Sequence, residues 1–290
     1  MRKGLILAGG LGTRFYPSTL GVSKHLFPIF DKPMIYYPLS TLMLAGIREI
    51  GIICNIENVE IYKRLLGNGK SFGISIKYLL QKHPLGIPEA LIIGKNFLDK
   101  KPCALILGDN IFYGSGFINL LDKTSNKSDR CSIFLYKVVN SSNFGIAEIN
   151  SENKIVRMKE KPSKLYGNLA ITGLYFFDKD APFLCENLKL SSRGELEIVD
   201  LLKKYNRKNL LTHTLLGRGF IWFDAGTPNS LIKASNLIES LQTRQGCIVG
   251  SPEEVALNKG WISKSLFKKN IQKFKNSIYG KYLSNLLDEN

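Results

Sequence analysis

The chain has 290 residues, of which 44% are hydrophobic, and its 40 Lys and Arg against 24 Asp and Glu give a formal net charge of +16. This content suffices for a large core, which excludes an intrinsically disordered chain, and no hydrophobic segment approaches the roughly 20 residues of a transmembrane helix. The five cysteines lack the paired spacings of a disulfide scaffold or a zinc site, so we expect reduced thiols in a cytoplasmic protein.

The first half of the chain alternates between predicted strands and predicted helices. Strands are predicted over residues 4–8, 49–54, 74–79 and 103–107, and helices over residues 34–45, 59–66 and 88–95. Parallel strands are joined by helical crossovers, so this order indicates a parallel sheet covered on both faces. A ligand is then expected outside the carboxyl ends of the strands.

The second half is predicted to be richer in strands. Strands are predicted over residues 131–138, 145–149, 154–160, 169–176 and 211–216, and helices over residues 197–205 and 226–241. The fold class predicted for the whole chain is therefore α/β, with a mixed, mostly parallel central sheet flanked by helices. Residues 242–290 are expected to form a small helical C-terminal extension.

The positive charge is concentrated near the C-terminus. No acidic residue occurs between Val255 and Leu287, whereas seven lysines do. A nucleic-acid arm is one interpretation, and a steep salt dependence of duplex DNA binding would support it. The solvated face of amphipathic helices is favoured, because the excess is mostly Lys and no nucleic-acid-binding motif accompanies it. We therefore expect neither nucleic acid nor a membrane as a partner.

A glycine-rich loop, Gly9-Gly10-Leu11-Gly12-Thr13-Arg14, follows the first predicted strand directly. Successive backbone N–H groups in such a loop can surround an anion, and the Arg14 guanidinium suits a phosphate. The loop is not a dinucleotide fingerprint, because Phe15 stands where the last glycine belongs. Lys24 lies close in sequence and is the second cation expected beside a triphosphate, although a lone Lys near a turn is more often only solvated.

Asp109 and Asp224 each follow a hydrophobic strand and precede a turn. Mg²⁺ is typically held by one or two carboxylates together with phosphate oxygens, so the pair predicts a magnesium site. Either residue alone is more often a turn or helix N-cap residue, and only the similar settings of the two favour a metal site.

Two further charged segments are candidates for sugar-phosphate binding. In one, Glu160 is suited to hydroxyl groups and Lys161 to a phosphate, although an exposed charged turn is the simpler interpretation. In the other, Arg193 is the candidate, although the segment that it begins is also typical of an ordinary helix N-terminus. The three histidines share no ligand or triad spacing. The residues together indicate a phosphate-handling site without a side-chain nucleophile or base.

Seven motifs occur in order along the chain: Leu7–Arg14, Ser23-Lys24, Asp31–Ile35, Leu107–Asn110, Glu160–Pro162, Thr172–Tyr175 and Arg193–Glu197. In this combination the chain resembles the sugar nucleotidyltransferases, and among them the thymidylyltransferases that act on glucose 1-phosphate. The resemblance extends from Met1 to about Leu287. It implies a Rossmann-like nucleotidyltransferase domain over residues 1–241, with a nucleotide half of about residues 1–110 and a sugar-phosphate half of about residues 111–241.

The activity that the resemblance implies is transfer of a thymidylyl group from dTTP to glucose 1-phosphate, with Mg²⁺ as cofactor. This is the first step of dTDP-rhamnose or other deoxysugar synthesis for cell-surface polysaccharide. The catalytic residues by resemblance are Arg14, Lys24 and Lys161. The nucleotide would be bound by Leu7, Gly9, Gly10, Gly12, Thr13, Arg14, Lys24, Gln81, Gly86 and Asp109. The sugar phosphate would be bound by Gly145, Glu160, Lys161, Ile171 and Arg193, and the metal by Asp109 and Asp224.

The chain departs from the family pattern in the segment expected to recognise the base. His83, Leu85, Pro88 and Glu89 replace the usual Ser, acidic residue, Ala and Gln, and His25 replaces a usual Gln. A uridylyltransferase or another nucleotidyltransferase, and a non-catalytic sugar-nucleotide-binding relative, are therefore kept as alternatives. The resemblance also implies a homotetramer with feedback by dTDP-rhamnose.

Overall fold

The computed structural model describes residues 1–163 and 166–288 of the chain. The strands among them are β1 (Lys3–Leu7), β2 (Pro28–Ile29), β3 (Lys32–Pro33), β4 (Glu49–Cys54), β5 (Ser75–Leu80), β6 (Cys103–Leu107), β7 (Asn110–Gly114), β8 (Cys131–Lys137), β9 (Gly145–Ile149), β10 (Ile155–Glu160), β11 (Leu169–Phe177), β12 (Leu211–Leu216) and β13 (Phe220–Asp224). The α-helices are α1 (Tyr36–Leu44), α2 (Val59–Leu66), α3 (Glu89–Ile93), α4 (Lys95–Leu98), α5 (Phe117–Ser125), α6 (Ala181–Glu186), α7 (Ile198–Arg207), α8 (Pro228–Gln245), α9 (Pro252–Asn258), α10 (Lys264–Ile271) and α11 (Ile278–Asp288).

Nine of the strands described above form the central sheet, in the order β10-β9-β11-β6-β1-β4-β5, with β8 between β11 and β12. The strands β6, β1, β4 and β5 are parallel to one another, whereas β11 is antiparallel to β6, β8 and β9. The predicted α/β fold with a mixed sheet is therefore confirmed. Leu7 lies opposite both Ile53 and Leu107, so the carboxyl ends of three parallel strands meet at one edge.

Both faces of the sheet are covered, as the continuous hydrophobic pattern of β1 requires. Leu5 points to one face, where it packs in a buried cluster with Leu91 and Tyr205. Ile6 points to the other, where it packs in a second cluster with Leu39 and Leu42 of α1. Successive side chains of β1 thus point to opposite faces of the sheet, and each packs against the helices that cover its face.

Two predicted helices differ from those observed. The predicted helix over residues 34–45 begins at Tyr36, because the backbone N–H groups of Met34 and Ile35 donate to Phe27 and His25 instead of remaining free at a helix end. The predicted helix over residues 88–95 is replaced by α3 and α4, which meet at Gly94. A side chain at Gly94 would lie 2.8 Å from Leu5, so this break lets the backbone pack directly on β1.

The sequence patterns predicted no element where β7, α5 and α6 occur. Of these, β7 matters most for the site, because it pairs with β13 in a separate two-stranded antiparallel sheet. In that register Asp224 lies opposite Asn110.

The C-terminal helices pack on the same core as the sheet. Phe267 of α10 and Leu283 of α11 are fully buried in the cluster that contains Ile6. Buried Lys32 lies 2.5 Å from Asp31 Oδ1 and donates to Gln242 Oε1 at 3.1 Å, which ties the β2–β3 hairpin to α8. The predicted helical extension is confirmed, apart from residues 289 and 290, which lie outside the described residues. No helix in the described part is both long and apolar enough to span a membrane.

Candidate active site

A cavity of about 290 Å³ opens at the carboxyl ends of β1 and β6 and is lined by residues from both halves of the chain. Thirteen of the sixteen predicted site residues line it: Leu7, Gly10, Arg14, Lys24, Gln81, Gly86, Asp109, Gly145, Glu160, Lys161, Ile171, Arg193 and Asp224. Gly9, Gly12 and Thr13 are not among its lining residues. The fold therefore brings the predicted residues together, while their individual roles stay predictions.

The three remaining residues shape the loop that carries Arg14. Gly12 has a left-handed backbone (φ 66°), and Thr13 begins the short 3₁₀ turn in which Arg14 lies. A Cβ atom at Gly9 would lie 2.0 Å from Gln81 Oε1, so only glycine lets the loop approach that side chain. These positions set the backbone geometry that directs Arg14 into the cavity.

Lys24 and Asp109 form an ion pair at the floor of the cavity, with Nζ 2.5 Å from Oδ2. The other carboxylate oxygen accepts from the Asn110 side chain at 3.1 Å. Burial alone would raise the pKa of Asp109, but the Lys24 charge and these hydrogen bonds lower it overall. Asp109 is therefore held as a carboxylate beside a cation.

Pairing of β13 with β7 brings Asp224 beside Asp109. The backbone N–H of Ala225 donates to the carbonyl of Asp109 at 2.9 Å. A Cβ atom at Gly226 would lie 2.7 Å from Asp224 Oδ1 and 3.3 Å from Asp109 Oδ2, so the two carboxyl groups flank one point. Burial, and then the proximity of Asp109, raise the pKa of Asp224. A divalent cation would relieve this repulsion, and the two aspartates fit one.

Glu160 and Lys161 also line the cavity. Glu160 Oε2 is buried and has no hydrogen-bond partner among the described residues. Burial, and then the Glu197 carboxylate, raise the pKa of Glu160 to about 7. Lys161 has a left-handed backbone (φ 36°), and its N–H donates to the carbonyl of Phe144. An unpaired acceptor beside a cation is a surface suited to hydroxyl and phosphate groups.

Arg193 lines the cavity, but its guanidinium already has partners. It lies 2.7 Å from Glu197 Oε2 and 3.0 Å from Glu195 Oε2. Sequence reasoning assigned Arg193 a phosphate and did not identify these two carboxylates, both of which also line the cavity. A phosphate would have to share the guanidinium with them.

Two further residues of the site were not predicted as such. Asn110 Oδ1 accepts from the Trp222 indole at 2.6 Å and from the backbone N–H of Gly173 at 2.9 Å, so it joins β7, β13 and β11 behind the aspartates. His25 lies 3.0 Å from Ser23 Oγ through Nδ1. Burial, and then the charge of Lys24, lower the pKa of His25 to about 3, so it is neutral. In the sequence, Asn110 belongs to the Leu107–Asn110 motif and His25 is a departure from the family pattern, but neither signal indicated these contacts.

Comparisons with known proteins identify the family of the chain. The Nucleotidyl transferase family model matches residues 3–240. A glucose-1-phosphate thymidylyltransferase of Neisseria meningitidis is 45% identical over 285 residues, 98% of this chain and 99% of that protein. A glucose-1-phosphate thymidylyltransferase of Mycobacterium tuberculosis is 43% identical over 288 residues, 99% of this chain and 100% of that protein.

Solved structures show the same fold. A candidate glucose-1-phosphate thymidylyltransferase from Bacillus anthracis, in complex with sucrose, superposes with a TM-score of 0.75 at 36% identity, covering 82% of this chain and 95% of that chain. A UDP-glucose pyrophosphorylase in complex with UDP-glucose has a TM-score of 0.71 at 24% identity, covering 83% of this chain and 99% of that chain, a likeness of fold alone. The chain belongs to the nucleotidyl transferase family and, within it, to the glucose-1-phosphate thymidylyltransferases.

Proposed function

We propose that this chain transfers the thymidylyl group of dTTP to α-D-glucose 1-phosphate, giving dTDP-glucose and pyrophosphate. The observation that carries the proposal is the convergence of Arg14, Lys24 and Lys161 on one cavity that also holds two neighbouring aspartates. Such a cavity suits two anionic substrates that must approach each other. Relatives that are named for this reaction match nearly the whole chain.

The reaction is a direct in-line attack by a phosphate oxygen of glucose 1-phosphate on the α-phosphorus of dTTP. The attacking oxygen is already anionic near neutral pH, so no general base is needed. The described residues that line the cavity include no Ser, Thr or Cys that would act as a covalent nucleophile. The protein then contributes positioning and charge neutralisation.

The cations divide between the two substrates. The triphosphate would be held by Arg14, with Lys24 beside its phosphates. By resemblance it would also contact Leu7, at the end of β1, and four residues of the glycine loop: Gly9, Gly10, Gly12 and Thr13. Lys161 would hold the 1-phosphate of the sugar. Arg193 would join it once the guanidinium is released from Glu195 and Glu197. Without these charges, the two phosphate groups would repel each other at reacting distance.

The sugar and the base would be recognised on opposite sides of the cavity. Glu160 would accept hydrogen bonds from glucose hydroxyls, which would satisfy its unpaired oxygen, and Gly145 and Ile171 would pack against the ring. A Cβ atom at Gly145 would lie 3.2 Å from Glu160 Oε2, so glycine keeps this corner open. Gln81 and Gly86 would contact the thymine.

Mg²⁺ is the proposed cofactor, and Asp109 and Asp224 would hold it. Their two carboxyl groups flank one point, and their mutual repulsion favours a divalent cation there. When bound, the ion supplies positive charge that neutralises the triphosphate and fixes its orientation. Lys24, which pairs with Asp109, would remain beside the phosphates.

We infer four further properties from the resemblance to the family. These are a division of the catalytic domain near residue 110, a homotetramer, feedback by dTDP-rhamnose, and a place in the cytoplasm at the start of deoxysugar synthesis. Light scattering of the purified protein measures the assembly, and inhibition by dTDP-rhamnose measures the feedback.

The proposed function is tested by identifying the product. The purified protein is incubated with dTTP, glucose 1-phosphate and Mg²⁺. The nucleotides are then separated by chromatography and identified by mass spectrometry. Formation of dTDP-glucose, dependent on glucose 1-phosphate, is expected. Release of phosphate or dTMP without any sugar nucleotide would indicate a hydrolase and overturn the proposal.

A further inference from the structure

A single carboxylate oxygen holds two groups of the segment expected to face the base. Glu89, the first residue of α3, accepts through Oε2 from Gln81 Nε2 at 2.6 Å and from the backbone N–H of Leu85 at 2.8 Å. Glu89 is half-buried, whereas Gln81 is only 4% exposed. The contact thus joins a buried amide and a loop backbone at one atom.

This contact fixes which way the Gln81 amide faces. A carboxylate accepts hydrogen bonds but donates none, so the NH₂ group of Gln81 must turn toward Glu89. The carbonyl oxygen Oε1 is then on the other side, facing Gly9, where it is buried without a partner among the described residues. A buried acceptor of this kind gains from any ligand N–H that reaches it.

The same oxygen also fixes the loop next to that amide. The backbone N–H of Leu85 donates to this oxygen. The next residue, Gly86, pairs with Leu196 in an isolated β-bridge. The backbone on the base side is therefore held at two neighbouring residues.

We propose that Glu89 is a positioning residue that sets base specificity. By fixing Gln81 as an acceptor, it makes the site select a pyrimidine with a ring N–H at position 3, such as thymine or uracil. Cytosine presents a ring nitrogen that is itself an acceptor, and two acceptors repel. An amide at position 89 would allow the Gln81 side chain to face either way, whereas a carboxylate allows one orientation only. The inference rests on the proposed function for the identity of the nucleotide site.

The experiment compares wild type, Glu89→Met and Glu89→Gln, with His83→Asn as the matched control. His83 lies in the same segment and is exposed, outside the cavity lining. Two ratios are measured for each protein: kcat/KM for dTTP over dCTP, and the Kd of dCTP over dTTP by calorimetry without glucose 1-phosphate. Thermal melting confirms that each variant is folded.

Glu89→Met keeps the length of the side chain but removes the acceptor, so both ratios are expected to fall by at least about tenfold, the scale of one lost orienting contact. Glu89→Gln retains an acceptor and is expected to lower the ratios less. His83→Asn is expected to leave them unchanged. If Glu89→Met does not fold, the inference is tested by Glu89→Gln alone, for which both ratios must be lower than those of wild type.

Other outcomes separate the possible errors. Equal losses for dTTP and dCTP, with both ratios unchanged, would mean that Glu89 only supports the loop, and the inference would be overturned. Wild-type binding without preference for dTTP would overturn it as well. A binding ratio that shifts in the variants of a protein that forms no sugar nucleotide would support the inference while the proposed function fails.

Discussion

Leu196 donates its backbone N–H to the backbone carbonyl of Leu85 at 2.7 Å, which joins the loop before α3 to the loop before α7. The first loop contains Gly86, which is proposed to face the base. The second loop contains Arg193, which is proposed to face the sugar phosphate. The two substrate sites therefore share one backbone contact. Disturbing that contact is expected to affect both substrates.

Gly86→Ala tests this coupling. Gly86 has a φ of +111°, and a Cβ atom there would lie 2.2 Å from the carbonyl oxygen of Leu196. An alanine must displace the loop, at a cost on the order of 1–3 kcal/mol, so kcat/KM for dTTP and for glucose 1-phosphate should both fall by at least about tenfold. Gly217→Ala is the control, because nothing lies within 4 Å of its Cβ position. A loss confined to one substrate would show that the loops act separately.

Lys161→Ala and Arg14→Ala test the assignment of cations to substrates. Each is expected to lower kcat/KM by at least about 10²-fold, the scale of one lost preorganised charge contact. Lys161→Ala should act mainly on glucose 1-phosphate and Arg14→Ala mainly on dTTP, as steady-state kinetics with each substrate varied will measure. The control is Lys159→Ala, at an exposed lysine of β10 two residues before Lys161. Kinetics like those of wild type would refute the role of the residue changed.

Asp224→Asn tests the proposed metal site. The variant removes one of two adjacent carboxylates, so Mg²⁺ should bind more weakly and kcat/KM should fall by at least about 10²-fold at fixed Mg²⁺. Thermal melting gives a readout without turnover: Mg²⁺ with dTTP should raise the Tm of wild type more than that of Asp224→Asn. Asp122→Asn, at an exposed aspartate of α5, is the control. Equal Tm shifts in wild type and Asp224→Asn would rule Asp224 out as a ligand.

Glu160→Gln tests the buried carboxyl group of the sugar side. Because the pKa of Glu160 is raised from 4.5 to about 7, the native state holds its proton more tightly than the unfolded state. The free energy of unfolding of wild type should therefore fall, relative to Glu160→Gln, as the pH rises from about 4.5 to 7, by on the order of 1–3 kcal/mol. Urea denaturation across this range measures the difference, with Glu57→Gln, at an exposed position, as the control. A constant difference would contradict the raised pKa.

The sequence was most informative where the relevant signal is local. The hydrophobic run of β1 followed by a glycine loop predicted both the strand and the position of Arg14. Long-range pairing was not visible in the same way: Asp224 reaches Asp109 only because β13 pairs with β7, and no pattern predicted β7. Side-chain competition was equally hidden, since the carboxylates that hold Arg193 are recognisable only once their distances are known.

The role proposed for Glu89 could not be predicted from the sequence either. In the sequence it was only a departure from the family pattern, a doubt about the choice of base. In the structure its carboxylate orients Gln81, the residue expected to read that base. The effect of Glu89 on base recognition depends on the Gln81 Nε2 group donating to it, and only the structure shows that hydrogen bond.

The decisive measurement for the proposed reaction is pyrophosphate release by the purified protein with glucose 1-phosphate and Mg²⁺, comparing dTTP, UTP, CTP and ATP. We expect release with dTTP to be favoured, little release with CTP or ATP, and none after addition of a chelator. A preference for CTP or ATP would contradict the proposed base recognition. No release with any triphosphate, from a folded protein that binds dTTP, would show that the cavity binds sugar nucleotides without catalysing their synthesis.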